Sequence, residues 1–174
     1  MDSNGHFGVP STATIIAVDD LADSFKLKTV DYCVDSQVET IDKYAFYESG
    51  IKSIHIPNKV RSIDKHAFSH CQSLASLKFA ENSQLESIGA SAFQDTILTS
   101  VNIPSLVSVV NSGAFKYNYA LSTVAIACST EPLAIGPRAF NNMSTENAEC
   151  RQLSFDHNCH EYAPLRWILI CGTR

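Results

Sequence analysis

The segment Ile51-Lys52-Ser53-Ile54-His55-Ile56-Pro57-Asn58-Lys59-Val60-Arg61-Ser62-Ile63-Asp64-Lys65-His66-Ala67-Phe68 decides how the whole chain is read. It holds an apolar–polar–apolar triplet, Ile54-His55-Ile56, with a proline directly after it. Two apolar residues three apart follow, Val60 and Ile63, and then an Ala-Phe pair. Period-2 alternation of β-branched residues predicts a short, half-buried strand. Pro57 ends that strand, because proline fixes φ and has no amide proton to donate. So short a strand is not stable alone and needs neighbours of its own kind.

Those neighbours lie on both sides of it. Ala-Phe recurs at 45–46, 67–68, 92–93, 114–115 and 139–140, at spacings of 22, 25, 22 and 25 residues (67 − 45, 92 − 67, 114 − 92, 139 − 114). Four residues before each Ala stand Ile41, Ile63, Ile88, Val110 and Ile135. Three before those stand Val38, Val60, Leu85 and Val107, and Pro132 breaks the column. The triplet recurs as Val30-Asp31-Tyr32, Leu77-Lys78-Phe79, Val101-Asn102-Ile103, Val124-Ala125-Ile126 and Leu153-Ser154-Phe155. The last interval is longer than the others, an insertion of about five or six residues. Two coil types alternate. In one, proline follows the strand (Pro57, Pro104). The other has two more residues there and a hydroxyl at Ser36, Ser83 and Thr130, able to bond nearby amides and close the corner.

A period in the low twenties with one strand per repeat means a leucine-rich-repeat solenoid. The expected architecture is α/β: a right-handed horseshoe with one parallel sheet of short strands about 4.8 Å apart. Ala-Phe turns or short helical segments occupy its other side. Ile56, Phe79, Ile103 and Ile126 are expected to line one core, and Phe68, Phe93 and Phe115 to stack between coils.

The pattern Leu98-x-x-Val101-x-Ile103-Pro104-x-x-Val107-x-x-Val110-x-x-x-Ala114-Phe115 resembles the BspA-like leucine-rich repeat. Ile51 to Phe68, followed by Cys71 and Leu74, resembles it still more closely. The resemblance spans about residues 29–155. That family occurs in bacteria, protists and algae, often in surface or secreted proteins. The resemblance implies binding of proteins or host components and brings no catalytic residues.

At 174 residues and 45% hydrophobic the chain has the size and apolar content of one domain. Residues 29–155 are expected to be repeats. Residues 1–28 (Ile15, Ile16, Val18, Leu21, Phe25) and 156–174 (Trp167, Ile168-Leu169-Ile170) are expected to cap the open ends. No apolar run reaches the ~18 residues of a membrane span. The net charge of −5 argues against nucleic acid as the main partner. Residues 1–51 are net −6, whereas 52–80 are net +4 through Lys52, Lys59, Arg61, Lys65 and Lys78 against Asp64. No signal peptide is visible, which favours the cytoplasm, while the family resemblance favours a surface or secreted location.

Chemical constellations are weak. Cys150, His157, Cys159, His160 and Cys171 have zinc-like residue types, but their spacing matches no standard ligand pair, so no metal is expected. No Gly-x-Ser-x-Gly elbow and no clustered glycines occur, so neither an enzyme nor a cofactor is expected. His66 and His70 flank an Ala-Phe step, at positions that the resemblance makes solvent-facing. Cys71 reads as a buried structural thiol, and the six irregularly spaced cysteines as free thiols. Asn142-Met143-Ser144 is a glycosylation sequon of consequence only in a secreted chain.

Two functional classes remain. In the first, a protein or peptide binds along the strand face through the outward residues Asp31, His55, Lys78 and Asn102, with Ser53, Ser76, Ser100 and Thr123 just upstream. In the second, the chain is a structural or adhesive surface element, or part of a longer array. These features do not set an oligomeric state.

Overall fold

The computed structural model describes residues 1–17, 19–127, 129 and 132–141, with the backbone of 151–152, 154–155 and 169–170. Expectations on Val18, Cys128, Thr130, the sequon, Cys150, Leu153, the His157–His160 run, Trp167, Cys171 and most of the cap at 156–174 lie outside these residues.

Two kinds of strand alternate along the chain. The four-residue strands are β1 (His6–Val9), β3 (Thr29–Tyr32), β5 (Ser53–Ile56), β7 (Ser76–Phe79), β9 (Ser100–Ile103) and β11 (Thr123–Ile126). Between them lie two-residue strands: β2 (Ile15–Ile16), β4 (Thr40–Ile41), β6 (Ser62–Ile63), β8 (Ser87–Ile88), β10 (Val109–Val110) and β12 (Ala134–Ile135). β13 (Arg151–Gln152), β14 (Ser154–Phe155) and β15 (Leu169–Ile170) follow, with β14 continuing beside β11 and β13 antiparallel to β15.

The solenoid therefore has two strand-bearing sides rather than the one sheet expected. β2 to β12 form a continuous six-stranded parallel sheet, in which Ile16, Ile41, Ile63, Ile88, Val110 and Ile135 stand opposite one another. Two-residue strands are too short for alternation to reveal them, so in the sequence that column reads only as apolar filling.

The third side holds turns, and among the described residues no helix forms. The reason is local. The residue before each Ala has positive φ (Tyr44, His66, Ser91, Gly113, Arg138), and so does the third residue after it (Glu48, His70, Asp95, Tyr117). Only three residues separate these left-handed positions, too few for an i→i−4 helical bond to close. Amides alternate instead. Those of Tyr44, Phe46 and Glu48 donate to the carbonyls of Lys65, Ala67 and Ser69 in the next coil, at 3.2, 2.8 and 3.0 Å. Those of Ala45, Tyr47 and Ser49 turn back to Asp42, Tyr44 and Phe46. Each left-handed non-glycine residue costs free energy, and the inter-coil bonds offset it.

Burial follows the columns. Ala45, Ala67, Ala92 and Ala114 are fully buried, as are Phe46, Phe68, Phe93 and Phe115. The phenylalanine stack is longer than expected, running Phe46–Phe68–Phe93–Phe115–Phe140 with ring centroids 4.6, 5.1, 5.2 and 5.2 Å apart and planes within 8°. Ile56, Ile103 and Ile126 are buried as expected, and Phe79 packs half-buried against them.

Of residues 1–28, expected as a cap, those from His6 on are shaped as one more coil. His6–Val9 pairs in parallel with Thr29–Tyr32, and Ile15–Ile16 with Thr40–Ile41. Leu21 stands in the phenylalanine column, its amide donating to Ala45 at 2.8 Å. Pro10 follows β1 as Pro57 and Pro104 follow β5 and β9, each 47 residues apart (57 − 10, 104 − 57).

The coils work in pairs. From the first sheet to the second, proline corners take 9 residues (Ile54 to Ile63, Val101 to Val110) and hydroxyl corners 11 (Val30 to Ile41, Leu77 to Ile88). In the longer corners, the buried Ser36 and Ser83 hydroxyls accept the amides of Val38 and Leu85 at 3.4 and 3.3 Å. The four-residue strands form ladders as β1-β3, β5-β7 and β9-β11, a proline coil followed by a hydroxyl coil each time, and β14 extends the last of them. Between pairs, at β3/β5 and β7/β9, the ladder is interrupted. The unit of construction is thus a 47-residue pair of coils.

Candidate interaction surface

Alternation along β3, β5, β7 and β9 buries Val30, Ile54, Leu77 and Val101 and leaves Asp31, His55, Lys78 and Asn102 exposed beside them. Two residues upstream, on the same side of each strand, runs a column of hydroxyls: Thr29, Ser53, Ser76, Ser100 and Thr123. His55 lies opposite Lys78 in one ladder, Asn102 opposite Ala125 in another, and Asp31 opposite Gly8 in a third. The row is therefore grouped, with Lys78 and Asn102 on adjacent strands that share no ladder.

His6 belongs to this face: it pairs with Thr29, just upstream of the triplet Phe7-Gly8-Val9, which stands opposite Val30-Asp31-Tyr32. Its Nδ1 lies 3.8 Å from Asp31 Oδ2 and contacts the Thr29 hydroxyl. Both side chains are exposed, so the contact contributes little to stability. Val9-Pro10 was the available signal, matching Ile56-Pro57 and Ile103-Pro104.

The turn side carries a second set of polar groups. Tyr44 and His66 stack with centroids 5.1 Å apart, and Tyr47 meets both Tyr44 and His70 edge-on at 5.6 Å. His66 and His70 are half-buried here rather than solvent-facing, because the left-handed backbone lays each ring along the neighbouring coil. Burial pulls the pKa of His66 below its ordinary value, with Lys65 and His70 adding to the effect. His70 Nδ1 and Gln72 Nε2 each lie 2.9 Å from Asp95 Oδ2. Burial pushes the Asp95 carboxyl up, but Gln72 and His70 outweigh it and hold the group below the usual carboxylate range. A shallow cleft of about 420 Å³ lies between Phe25, Glu48, Gly50, His70 and Gln72.

Beneath these turns runs a buried polar column, Ser49, Cys71, Thr96 and Asn118. The Cys71 thiol donates to the Phe46 carbonyl at 2.9 Å and lies 3.4 Å from Ser49 Oγ. Burial pushes its pKa up to about 11, against a smaller downward pull from Ser49. Asn118 Nδ2 donates to the carbonyls of Phe93 and Phe115 at 2.7 and 2.8 Å, and Thr96 Oγ1 donates to Asn118 Oδ1. Cys71 and Asn118 each tie a turn to the phenylalanine step of the coil before it, a structural task.

A parallel β-solenoid of short coils, with a repeating apolar interior and one variable outward residue per strand, is a leucine-rich-repeat protein in class. The chain matches the BspA type leucine-rich repeat region in six copies, over residues 6–122 and 39–163, and belongs to that family. Its fold is similar to that of the pneumococcal vaccine antigen PcpA (TM-score 0.61, 21% identity, 72% of this chain and 42% of that one). It is also similar to a leucine-rich repeat protein from Bacteroides ovatus (TM-score 0.57, 19% identity, 79% and 49%). A leucine-rich cell surface protein from Faecalibacterium prausnitzii matches with a TM-score of 0.50 and 26% identity, over 70% and 38%. The chain spans less than half the length of each of these structures. No curated protein matches it.

Proposed function

We propose that this chain is a non-enzymatic interaction module that holds a protein or peptide along its strand face, through Asp31, His55, Lys78 and Asn102. One observation carries the reading: inward residues repeat from coil to coil, whereas the exposed residues between them differ in charge and chemistry. Core packing accounts for the first and not for the second. Stacked repeats offer an extended platform with one such residue per coil, and binding energy concentrates near the centre of an interface, here at His55 and Lys78.

Affinity capture from native lysate tests this. His55→Ala with Lys78→Ala is expected to leave folding stability within about 0.5 kcal/mol, as exposed substitutions do, and to weaken capture. Lys43→Ala with Lys65→Ala, on the turn side, is expected to leave capture unchanged. Capture lost in the turn-side variant and kept in the strand-face variant refutes the assignment.

A second reading is an adhesive surface element. Two of the similar structures favour it, one described as a vaccine antigen and one as a cell surface protein. Surface labelling of intact cells separates the two, because an adhesin is labelled and an internal module is not.

A further inference from the structure

The upstream edge of the strand face is basic. Lys28 and Lys52 stand exposed at the upstream ends of β3 and β5, and the Lys52 amide donates to the Lys28 carbonyl at 3.0 Å. His55 and Lys78 stand exposed at the middle of β5 and β7, opposite one another. Among the described residues, none of these three lysines has a carboxylate within ion-pairing distance. Two other cations are engaged: Arg61 Nη1 lies 2.7 Å from Glu86 Oε1, and Lys59 Nζ donates to Gln37 at 2.7 Å. The acids lie off the upstream edge, for Asp31 is on this face but at the middle of β3. Asp31 faces His6. Asp35 and Glu81 sit in the long corners beyond the downstream ends of β3 and β7, a strand length of roughly 13 Å from the upstream edge. A cationic cluster without partners thus stands on a chain whose net charge is −5.

We propose that the upstream half of this face docks an acidic protein segment, an extended stretch with several Asp or Glu side chains lying across β3, β5 and β7. The inference rests on the strand-face reading above and names the chemistry of its partner. Lys28 and Lys52 precede adjacent strands about 4.8 Å apart, and Lys78 stands on the next strand roughly three residues, about 10 Å, downstream, so one segment crossing β3 to β7 obliquely can reach all three. The hydroxyls of Thr29, Ser53 and Ser76 lie beside them and can donate to carboxylates or peptide carbonyls. The outward row holds no large apolar side chain, so nothing on it suits an apolar partner. A long polyanion would extend past the patch onto the acidic remainder of the chain and be repelled, whereas a short acidic segment meets only the patch.

The test uses the full chain and three fluorescent probes read by anisotropy. The first is an oligoglutamate of about eight residues, long enough at ~3.3 Å per residue to cross the three strands. The others are an oligolysine of the same length and a sulfated oligosaccharide of similar charge. Oligoglutamate is expected to bind and oligolysine not to. Binding should fall steeply as salt rises past roughly 0.15 M, where the Debye length is near 8 Å. Lys52→Glu with Lys78→Glu is expected to weaken oligoglutamate binding by about tenfold or more, as reversed charges repel. Lys52→Arg with Lys78→Arg should preserve it, and Lys43→Glu with Lys65→Glu should leave it unchanged. Unchanged melting temperatures keep the comparison among folded proteins. The proposal is overturned if oligoglutamate does not bind, if the double reversal leaves its affinity unchanged, or if the sulfated probe binds more tightly. If capture still depends on His55 and Lys78 in any of those cases, the strand face stands and only the acidic partner falls.

Discussion

Cys71 and His66 lie five residues apart, and their environments lead to different tests. The Cys71 thiol is fully buried against the Phe46 carbonyl, and with its pKa pushed up to about 11 it is almost wholly protonated near neutral pH. Thiolate is the reactive form. Alkylation followed by mass spectrometry should therefore label the exposed Cys33 quickly and Cys71 only after denaturation; rapid native labelling of Cys71 would contradict its burial. His66 has a lowered pKa in the fold, through burial first and then through Lys65 and His70. Between that lowered value and the ordinary one near 6.5, the unfolded chain takes up a proton that the folded chain resists. This contribution to stability is complete above about pH 6.5 and declines as pH falls through that window. Asp95, with its carboxyl held low, acts in the same direction but only in more acid solution, below the ordinary carboxylate range. Melting temperature should thus drop between pH 7.5 and pH 5, and His66→Asn, which tolerates the left-handed backbone, should drop less. An equal fall in both proteins rules out His66 as the cause.

At the scale of the element, the five-ring stack is the continuous feature of the interior. Phe93 sits at its centre, with Phe68 and Phe115 at 5.1 and 5.2 Å. Phe93→Ala removes a fully buried ring from a site that coils on both sides prevent from collapsing, so it should cost about 3–5 kcal/mol. Chemical denaturation measures it, and a loss below about 1 kcal/mol would place the ring outside the core. This stack was legible in the chain because Ala-Phe recurs with the coil period. The turns around it were not. A left-handed residue leaves little mark when Tyr, His, Ser, Arg, Asp and Glu all occupy its column, with Gly113 as the one glycine. Inter-coil hydrogen bonds hold that geometry in place, and residue preference does not announce it.

For the whole molecule, pairing of coils makes the 47-residue unit the natural module. Deleting residues 57–103 joins Ile56 to Pro104 and preserves the alternation of proline and hydroxyl corners. That variant should still unfold in one cooperative transition, with a denaturant m-value lower by roughly a quarter, as m scales with the surface exposed. Deleting residues 57–79 joins Ile56 to Ala80 and sets two 11-residue corners side by side. It should unfold over a broader range, at lower denaturant. If the single-coil deletion is as cooperative as the double, the pair is not the unit.

The linear chain by itself determined the solenoid, its period, the inward columns and the outward row of Asp31, His55, Lys78 and Asn102. The physical reason is that each follows from a local alternation repeated at fixed spacing, and stacking merely copies it. Tertiary structure alone decided the rest. The second sheet depends on two-residue strands that exist only through their neighbours. The added coil at residues 6–28 is recognised by its hydrogen bonds to the next, since Leu21 replaces phenylalanine and glycine stands at the centre of Phe7-Gly8-Val9. The grouping of the outward row into pairs, and the meeting of His70 with Asp95 across 25 residues of sequence, depend on how each corner displaces the coil after it. Such displacements build up through space from one coil to the next, and no single repeat contains them.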